Sequence, residues 1–443
     1  MIPSKTNHSQ GRLFQQRLTE QLNPNHKLYR LANMIDWDSF EKSFSSLYKK
    51  GPGQPPKPIR LMVGLIMLQS IHGFSDEEVI FSWVENPYWQ YFCGYDYLQW
   101  DFPIDPSSMT RWRNRLGKEG METILTATIN LALETKTVKK QSLKKVIVDT
   151  TVMPKNIAYP IDARLYAKGC EKVVKMAKKY GVPLRQTYTQ LTKRAVRKRG
   201  QYAHARQMKR AKREERKVKT FLRRLESDVR RKIKGKTFEK DFMPLLEMVN
   251  RLLNQKRGDK NKLYSLHEPD IECISKGKAH KKYEFGKKVS IVISHKEGLC
   301  LSSQAFHGNP YDGHTLETSL EHAERITKHE IREVYVDRGY RGHEEKNKKV
   351  FIPGQKKGLS LWFKKQLKRR QAIEPLIGHM KQEGKLGRNY LKGKLGDEIN
   401  ALLTGTGHNL RMILRKLRIF FIQFCGKLIF CYRTKIFLKS IKI

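Results

Sequence analysis

The sequence predicts an α/β core that follows a helical N-terminal domain and is interrupted by a basic α-helical insertion. Three observations carry that prediction. Apolar residues recur at helical spacing between 60 and 116, short runs rich in Val and Ile appear near 146 and again from 289, and Lys and Arg crowd the stretch between those runs. Composition points the same way. Of 443 residues, 89 are Lys or Arg and 43 are Asp or Glu, a net charge of +46. Such a surface repels itself unless it meets a polyanion, so DNA or RNA is the expected partner. At 39% hydrophobic residues, packed cores are within reach and a disordered tail is excluded.

Other classes fall away on local features. The six cysteines (Cys93, Cys170, Cys273, Cys300, Cys425, Cys431) show neither CxxC nor zinc-ligand spacing, so no disulfide framework or zinc finger is written here, and a reducing cytoplasm is expected. The start, MIPSKTNHSQGRLF, lacks the apolar stretch of a secretory signal. Residues 419–443 form a basic hydrophobic tail in which Lys427, Arg433, Lys435, Lys439 and Lys442 recur, a density that forbids a spanning helix of about 20 apolar residues. No membrane partner is expected.

In chain order, residues 51–58 (GPGQPPKP) read as an extended Pro-rich spacer. Leu61, Leu65 and Leu68 then keep helical spacing, and Ser75 with Glu78 makes a capping box before Val79, Phe81 and Trp83. Asp105-Pro-Ser-Ser precedes a short helix whose stripe is Met109, Trp112 and Leu116, with Arg111 and Arg115 one turn apart on another face. Those arginines either contact DNA or merely solubilise a helical bundle.

The pattern changes at Lys144. LKKVIVDTTV (143–152) reads as a buried strand carrying Asp149; VSIVIS (289–294) and LCLSSQAF (299–306) form a hairpin about a turn at 295–298. Asp312-Gly-His-Thr opens a helix with Leu316, Leu320 and Ala323, and EVYVD (333–337) and KVFIP (349–353) are two further strands. Strands alternating with helical segments are an α/β signature. Between first strand and hairpin, basic residues including Lys198, Arg199 and Arg213 accompany two apolar stripes, Val218, Phe221, Leu222, Leu225, Val229 and Leu245, Leu246, Val249, Leu252, Leu253. That spacing predicts two amphipathic helices folded as an antiparallel hairpin, with the charge excess meeting phosphates.

Three acids stand where chemistry is possible. Asp149 and Asp337 end β-runs, where side chains project toward a ligand crevice or serve as turn caps. Glu374 lies in RRQAIEPLIGHMK; at about 100° per residue Arg370, Glu374 and Lys381 fall within about 40° of one another, beside the apolar stripe Ile373, Leu376, Ile377 and Met380. Pro375 sets the start of that helix at about Ile373. Two Asp and one Glu brought together make an oxygen-only site suited to Mg²⁺ or Mn²⁺, and two such ions about 4 Å apart would serve in-line displacement at a phosphodiester.

Those residues sit inside recognisable blocks: VIVDTTV, FHGNPYDGHTL at 306–316, YVDRGYRGH at 335–343 and RRQAIEPLIGHMKQEGKLGRNYLKG at 369–393. In that order they resemble the DDE transposases of bacterial insertion sequences, and the helical segment at 60–116 resembles that group's N-terminal domain. The resemblance implies an RNase H-like mixed-sheet core and a DNA transposase that binds the ends of its element, cleaves them and joins the 3′-hydroxyl to target DNA. It further implies two Mg²⁺ (or Mn²⁺) ions held by Asp149, Asp337 and Glu374, a homodimer or higher oligomer on double-stranded DNA, and a cytoplasmic, nucleoid-associated location. Arg370, Glu374 and Lys381 match the family's downstream spacing, whereas the aromatic that precedes the Arg falls on Leu367. A nuclease that cuts without joining and a catalytically silent DNA-binding derivative are the alternatives.

The expected divisions are 1–135 (helical DNA-binding and assembly domain), 140–165 (first core strand), 166–262 (basic insertion), 263–418 (remainder of the core) and 419–443 (tail). The insertion accounts for the long span from Asp149 to Asp337. Beside the acids, Arg338 and Arg341 would neutralise phosphates or pair with carboxylates; Asp312-Gly-His-Thr either sets His314 on a DNA phosphate or, the reading put ahead, simply uses Asp312 to cap the following helix. Tyr390 and Arg388 either stack on an unpaired base or pack at a helix terminus. His408 reads as a core or interface histidine.

Overall fold

The computed structural model describes residues 15–48, 56–256, 258–260, 262–275, 282–354 and 358–440, with side chains to Arg418. Of the 51–58 spacer only Pro56, Lys57 and Pro58 fall within that set. The chain forms two compact units, Met1–Pro154 with Lys287–Ile443, and Lys155–Gly286.

The first unit opens with helices α1 (Leu18–Gln21), α2 (Lys27–Met34), α3 (Trp37–Phe44), α4 (Ile59–His72), α5 (Asp76–Glu85), α6 (Pro87–Phe92) and α7 (Pro106–Glu134). The expected capping box is formed: Ser75 Oγ accepts from Glu78 N, and the Glu78 carboxylate accepts from Ser75 N at 2.6 Å. Asp105 caps α7 by accepting from Ser107 N at 2.8 Å, with Pro106 in the first turn. Where the sequence predicted one short helix, α7 continues for 29 residues, broken only by Gly117, whose φ of 63° is open to glycine at little cost. The apolar stripe at 109–116 covers the piece before that break.

The core follows. Strand β1 (Lys145–Pro154) is joined by β3 (Tyr283–Ser294), β4 (Cys300–Phe306), β5 (Glu333–Tyr335) and β6 (Lys349–Phe351); α12 (Leu316–Thr327) links β4 to β5. The order across the sheet is β4-β3-β1-β5-β6, with β3·β4 antiparallel and β1·β5 and β5·β6 parallel. This is the mixed sheet expected of an RNase H-like core. Alternation along the strands sorts side chains to opposite faces. Val146, Val148, Val334 and Val336 share a core with Leu65, Trp112, Ile124, Leu320 and Leu410, so the N-terminal helices and α12 cover one face. Ile147, Ile291, Ile293 and Tyr335 turn the other way, onto Ile373, Ile377 and Met380.

Those last residues belong to α14 (Ile373–Glu383), preceded by α13 (Leu361–Arg369) and followed by α15 (Gly393–Ser440). The helix begins at Ile373, as Pro375 requires. Leu367, in the family's aromatic position, packs against the same core. His408 is buried on α15 with Nε2 2.9 Å from the Gly298 carbonyl, and burial pulls its pKa down to about 4, as a core histidine. The tail predicted at 419–443 continues this helix to Ser440; its side chains lie outside the described residues.

The second unit contains α8 (Asp162–Lys179), α9 (Thr189–His204), α10 (Met208–Ile233), α11 (Glu239–Asn254) and the short β2 (Glu272–Ser275), which pairs antiparallel with Tyr283 to Gly286. Four helices stand where a two-helix hairpin was expected. The missed partner is α8, whose Leu165, Tyr166, Cys170 and Val173 share a core with Val218, Leu222, Leu225 and Val229 of α10 and Phe242, Leu246 and Val249 of α11. A Cβ on Gly169 would stand 2.9 Å from a methyl of Leu222, so glycine lets α8 approach α10 closely. The unit extends beyond the basic 166–262 stretch on both sides, because its chain ends are held by Lys155 N–H donating to the Phe285 carbonyl at 2.9 Å.

Candidate active site

The parallel register of β1 and β5 positions the two aspartates. Lys145 lies opposite Glu333, Val146 opposite Val334 and Ile147 opposite Tyr335. Continued two residues further, the same offset sets Asp149 level with Asp337. Both are two residues past the core-facing pair Ile147 and Tyr335, so strand alternation aims them at the α14 face. Each carboxylate is oriented locally: Asp149 accepts from Thr150 N–H at 2.8 Å and Asp337 from Gly339 N–H at 2.8 Å.

A further acid lies near Asp337. Asp312 was expected to cap the following helix, but it makes no cap. Its Oδ1 accepts instead from Thr150 Oγ1 at 2.7 Å and from Lys288 Nζ at 2.8 Å. Lys288 thereby ties β3 to the loop before α12, and also donates to the Pro310 carbonyl at 2.6 Å. Beneath these groups Tyr340 is fully buried. Burial, and then the charges of Asp149, Asp312 and Asp337, push that phenol well above its usual pKa, so it stays protonated.

This donor set suits a hard divalent cation. Asp337 and Asp312 offer carboxylate oxygens, with the Lys288 ammonium held on Asp312, and Gly339 leaves space between the two acids: a Cβ there would lie 3.0 Å from Asp337 Oδ1 and 3.4 Å from Asp312 Oδ2. Glu374 occupies the first turn of α14, on the helix that covers this face, but its carboxylate stands 3.8 Å from Arg370 and its side chain is 65% exposed. Among the described residues no three His, Cys, Asp or Glu side chains are close enough together to hold a metal. The structure thus brings Asp149 and Asp337 to one level and sets Glu374 on the adjoining helix without joining the three carboxylates.

The basic residues singled out from the sequence distribute as follows. Arg370 pairs with Glu374, and Lys381 lies half-buried two turns along the same helix. Arg338, Arg341 and His314 are exposed on the loops that carry Asp337 and Asp312; the Tyr311 hydroxyl donates to the Arg341 carbonyl at 2.9 Å, and its ring packs edge-on against His314. On α7, Arg111 is exposed and bonds Ser107 and Ser108, while the Arg115 guanidinium lies 5.5 Å from the Tyr48 ring centre. Between them Arg113, which periodicity did not single out, is buried and grips Asp76. Lys198 and Arg213 are exposed on the insertion. Arg199 is half-buried at 3.6 Å from Glu215. Tyr390 is exposed with Arg388 over its ring at 5.7 Å. Lys288, Thr150 and Tyr340 were missed at the site and Asp312 was read only as a cap; the one sequence signal is that Asp312 and Asp337 each open a short turn containing Gly, DGHT and DRGY.

Comparison with known proteins gives the family. A family model described as a transposase domain (DUF772) matches residues 16–115, and one described as a transposase DDE domain matches residues 265–410. A protein of Rhizobium meliloti, named only as uncharacterized protein ORF8 in the nfe locus, is 49% identical over 207 residues, which is 47% of this chain and all of that protein. No solved structure matches. With the N-terminal match on the helices from α1 to the start of α7 and the DDE match on the stretch that includes β3 to β6 and the loops bearing Asp312 and Asp337, the chain belongs to the DDE-type transposases of insertion sequences.

Proposed function

We propose that this DNA transposase works through Asp149, Asp337 and Glu374 as one acidic site for two Mg²⁺ or Mn²⁺ ions. The single observation that carries the reading is the β1–β5 register, which sets two hard carboxylates side by side on the face covered by the Glu374 helix. When bound, such ions activate an attacking oxygen and stabilise the leaving one. The chain's own groups orient the DNA around them. Arg370 and Lys381 flank Glu374 and hold phosphates next to the scissile bond, Arg338, Arg341 and His314 hold flanking ones, and Tyr340 keeps its proton as a neutral neighbour of the carboxylates.

Water attacks the phosphodiester at each end of the element, and the P–O bond to the 3′-oxygen breaks to free a 3′-hydroxyl. That hydroxyl then attacks a target phosphodiester, forming one P–O bond as another breaks, so no ATP is consumed. Arg111, Arg115, Lys198 and Arg213 contact duplex DNA outside the reacting bond, and a homodimer or larger assembly in the nucleoid pairs the two ends.

The test is incubation of the purified protein with Mg²⁺ and labelled DNA from both flanks of its gene, alongside Asp149→Asn. Joined products that vanish in the variant are expected. Nicks without joining would replace the reading with a nuclease, and salt-sensitive binding without cleavage would replace it with a silent derivative.

A further inference from the structure

We propose that an arginine-lined cleft in the insertion unit is a separate DNA site, one that takes the phosphate backbone of duplex DNA without reading bases. The inference rests on the transposase reading and deepens it by naming a contact outside the acidic site. The cleft, about 870 Å³, is lined by Arg185, Arg223, Arg224, Arg230 and Arg231, with Tyr188 on its wall. All five arginines are exposed.

Intramolecular partners do not account for that charge. Of the nearby acids, Glu226 is taken by Arg230 at 2.7 Å, and Asp228 by Lys232 at 2.9 Å, by the Arg185 backbone N–H at 3.2 Å and by Arg231 at 3.6 Å. The side chains of Arg185, Arg223 and Arg224 have no ion pair or hydrogen bond among the described residues. A helix dipole would account for Arg230, Arg231 and Lys232 in the last turn of α10. It does not account for Arg223 and Arg224, which lie about 15 Å before that end, far outside the turn where the dipole acts.

Geometry selects the ligand. At about 100° per residue, Arg223, Arg224, Arg230 and Arg231 fall within an arc of about 120°, as two pairs about 10.5 Å apart along the helix. Each strand of a duplex presents a phosphate about every 3.4 Å of axis, so this row spans about three of them. The aromatic wall argues against single strands. Tyr188 is stacked on Phe221, centroids 4.8 Å apart and planes within 13°, so one face of it is already covered and the cleft wall offers no succession of rings for consecutive splayed bases.

The experiment measures binding of a labelled random-sequence 30-base-pair duplex to the full chain by anisotropy, in EDTA, from about 50 to 300 mM KCl. The variant Arg223→Gln/Arg224→Gln removes two unpartnered charges. Its control, Lys175→Gln/Lys178→Gln on α8, removes two exposed charges outside the cleft. The expected result is a salt slope shallower by about two for the cleft variant, equal across unrelated duplexes, with a smaller change for the control and an unchanged melting temperature. Equal losses in both variants would mean diffuse charge and overturn the cleft. Preference for single-stranded RNA, lost in the cleft variant, would overturn the duplex assignment. Failure of the unaltered protein to bind duplex at all would overturn the DNA reading itself, an outcome distinct from the other two.

Discussion

His322 on α12 donates through Nε2 to Oε1 of Glu122 on α7 at 2.8 Å, and both side chains are buried. Arg325 takes the other Glu122 oxygen at 2.7 Å, and Ser302 of β4 meets His322 Nδ1 at 2.7 Å. One polar chain therefore fastens a helix of the N-terminal region to the sheet. Truncating one member strands its buried partner, so Glu122→Ala is expected to cost about 3 kcal/mol or more, measured by urea unfolding. A change under about 0.5 kcal/mol would refute the fastening role.

The same carboxylate sets an acid limit. Burial raises the Glu122 pKa, but hydrogen bonds from His322 and Arg325 outweigh it, and the net pKa is below the ordinary 4.5. Asp76 behaves alike: burial raises it, Arg113 outweighs burial, and the net is below 3.8. A carboxyl whose folded pKa is depressed contributes stability in full above its unfolded pKa and loses it as pH falls through the folded value. Unfolding free energy should thus hold steady down to about pH 5 as far as these groups are concerned and fall below it, and Glu122→Gln should flatten the fall.

If Asp149 and Asp337 hold the ions as proposed, Asp149→Asn and Asp337→Asn should each lower cleavage and joining by at least about 10³-fold, since that loss forfeits several kcal/mol at the transition state. Neither should unfold the protein, because Asn can still accept the short backbone bonds from Thr150 and Gly339. Product yield and circular dichroism on the same preparations separate the two effects.

Gly339→Ala tests the space between the acids. Its φ does not demand glycine, so the substitution acts through the new Cβ, 3.0 Å from Asp337 and 3.4 Å from Asp312. The expected outcome is a melting temperature within about 3 °C of the parent together with a fall in DNA cleavage. Unchanged cleavage would show that these carboxylates tolerate displacement.

Gly407→Ala tests the helix contact behind the sheet. A Cβ at 407 would collide with the Ser70 carbonyl, backbone that cannot swing aside as a side chain can, so α15 must shift away from α4. A loss of about 1–3 kcal/mol is expected, read as a lower denaturant midpoint.

Features that depend on neighbours along the chain are legible in the sequence. The Ser75–Glu78 box, the cap at Asp105, the hairpin turn near Gly298 and the start of α14 at Ile373 each follow from chemistry within a few residues. Apolar periodicity placed α10 and α11, yet it passed over α8, whose stripe lies among lysines and acquires meaning only when Leu222 packs against Gly169. Arg199 resembles its basic neighbours in the sequence, and only folding sets it beside Glu215.

The residues alone determined the order of elements and the excess positive charge, and they singled out three candidate acids, because composition and periodicity are properties of the chain read in line. The tertiary structure decided which of them meet. The β1–β5 register sets Asp149 level with Asp337, Thr150 and Lys288 hold Asp312 by hydrogen bonds from β1 and β3, and Tyr340 is buried beneath them. Strand pairing and burial join residues far apart in sequence, and their free energy comes from contacts that no local window contains.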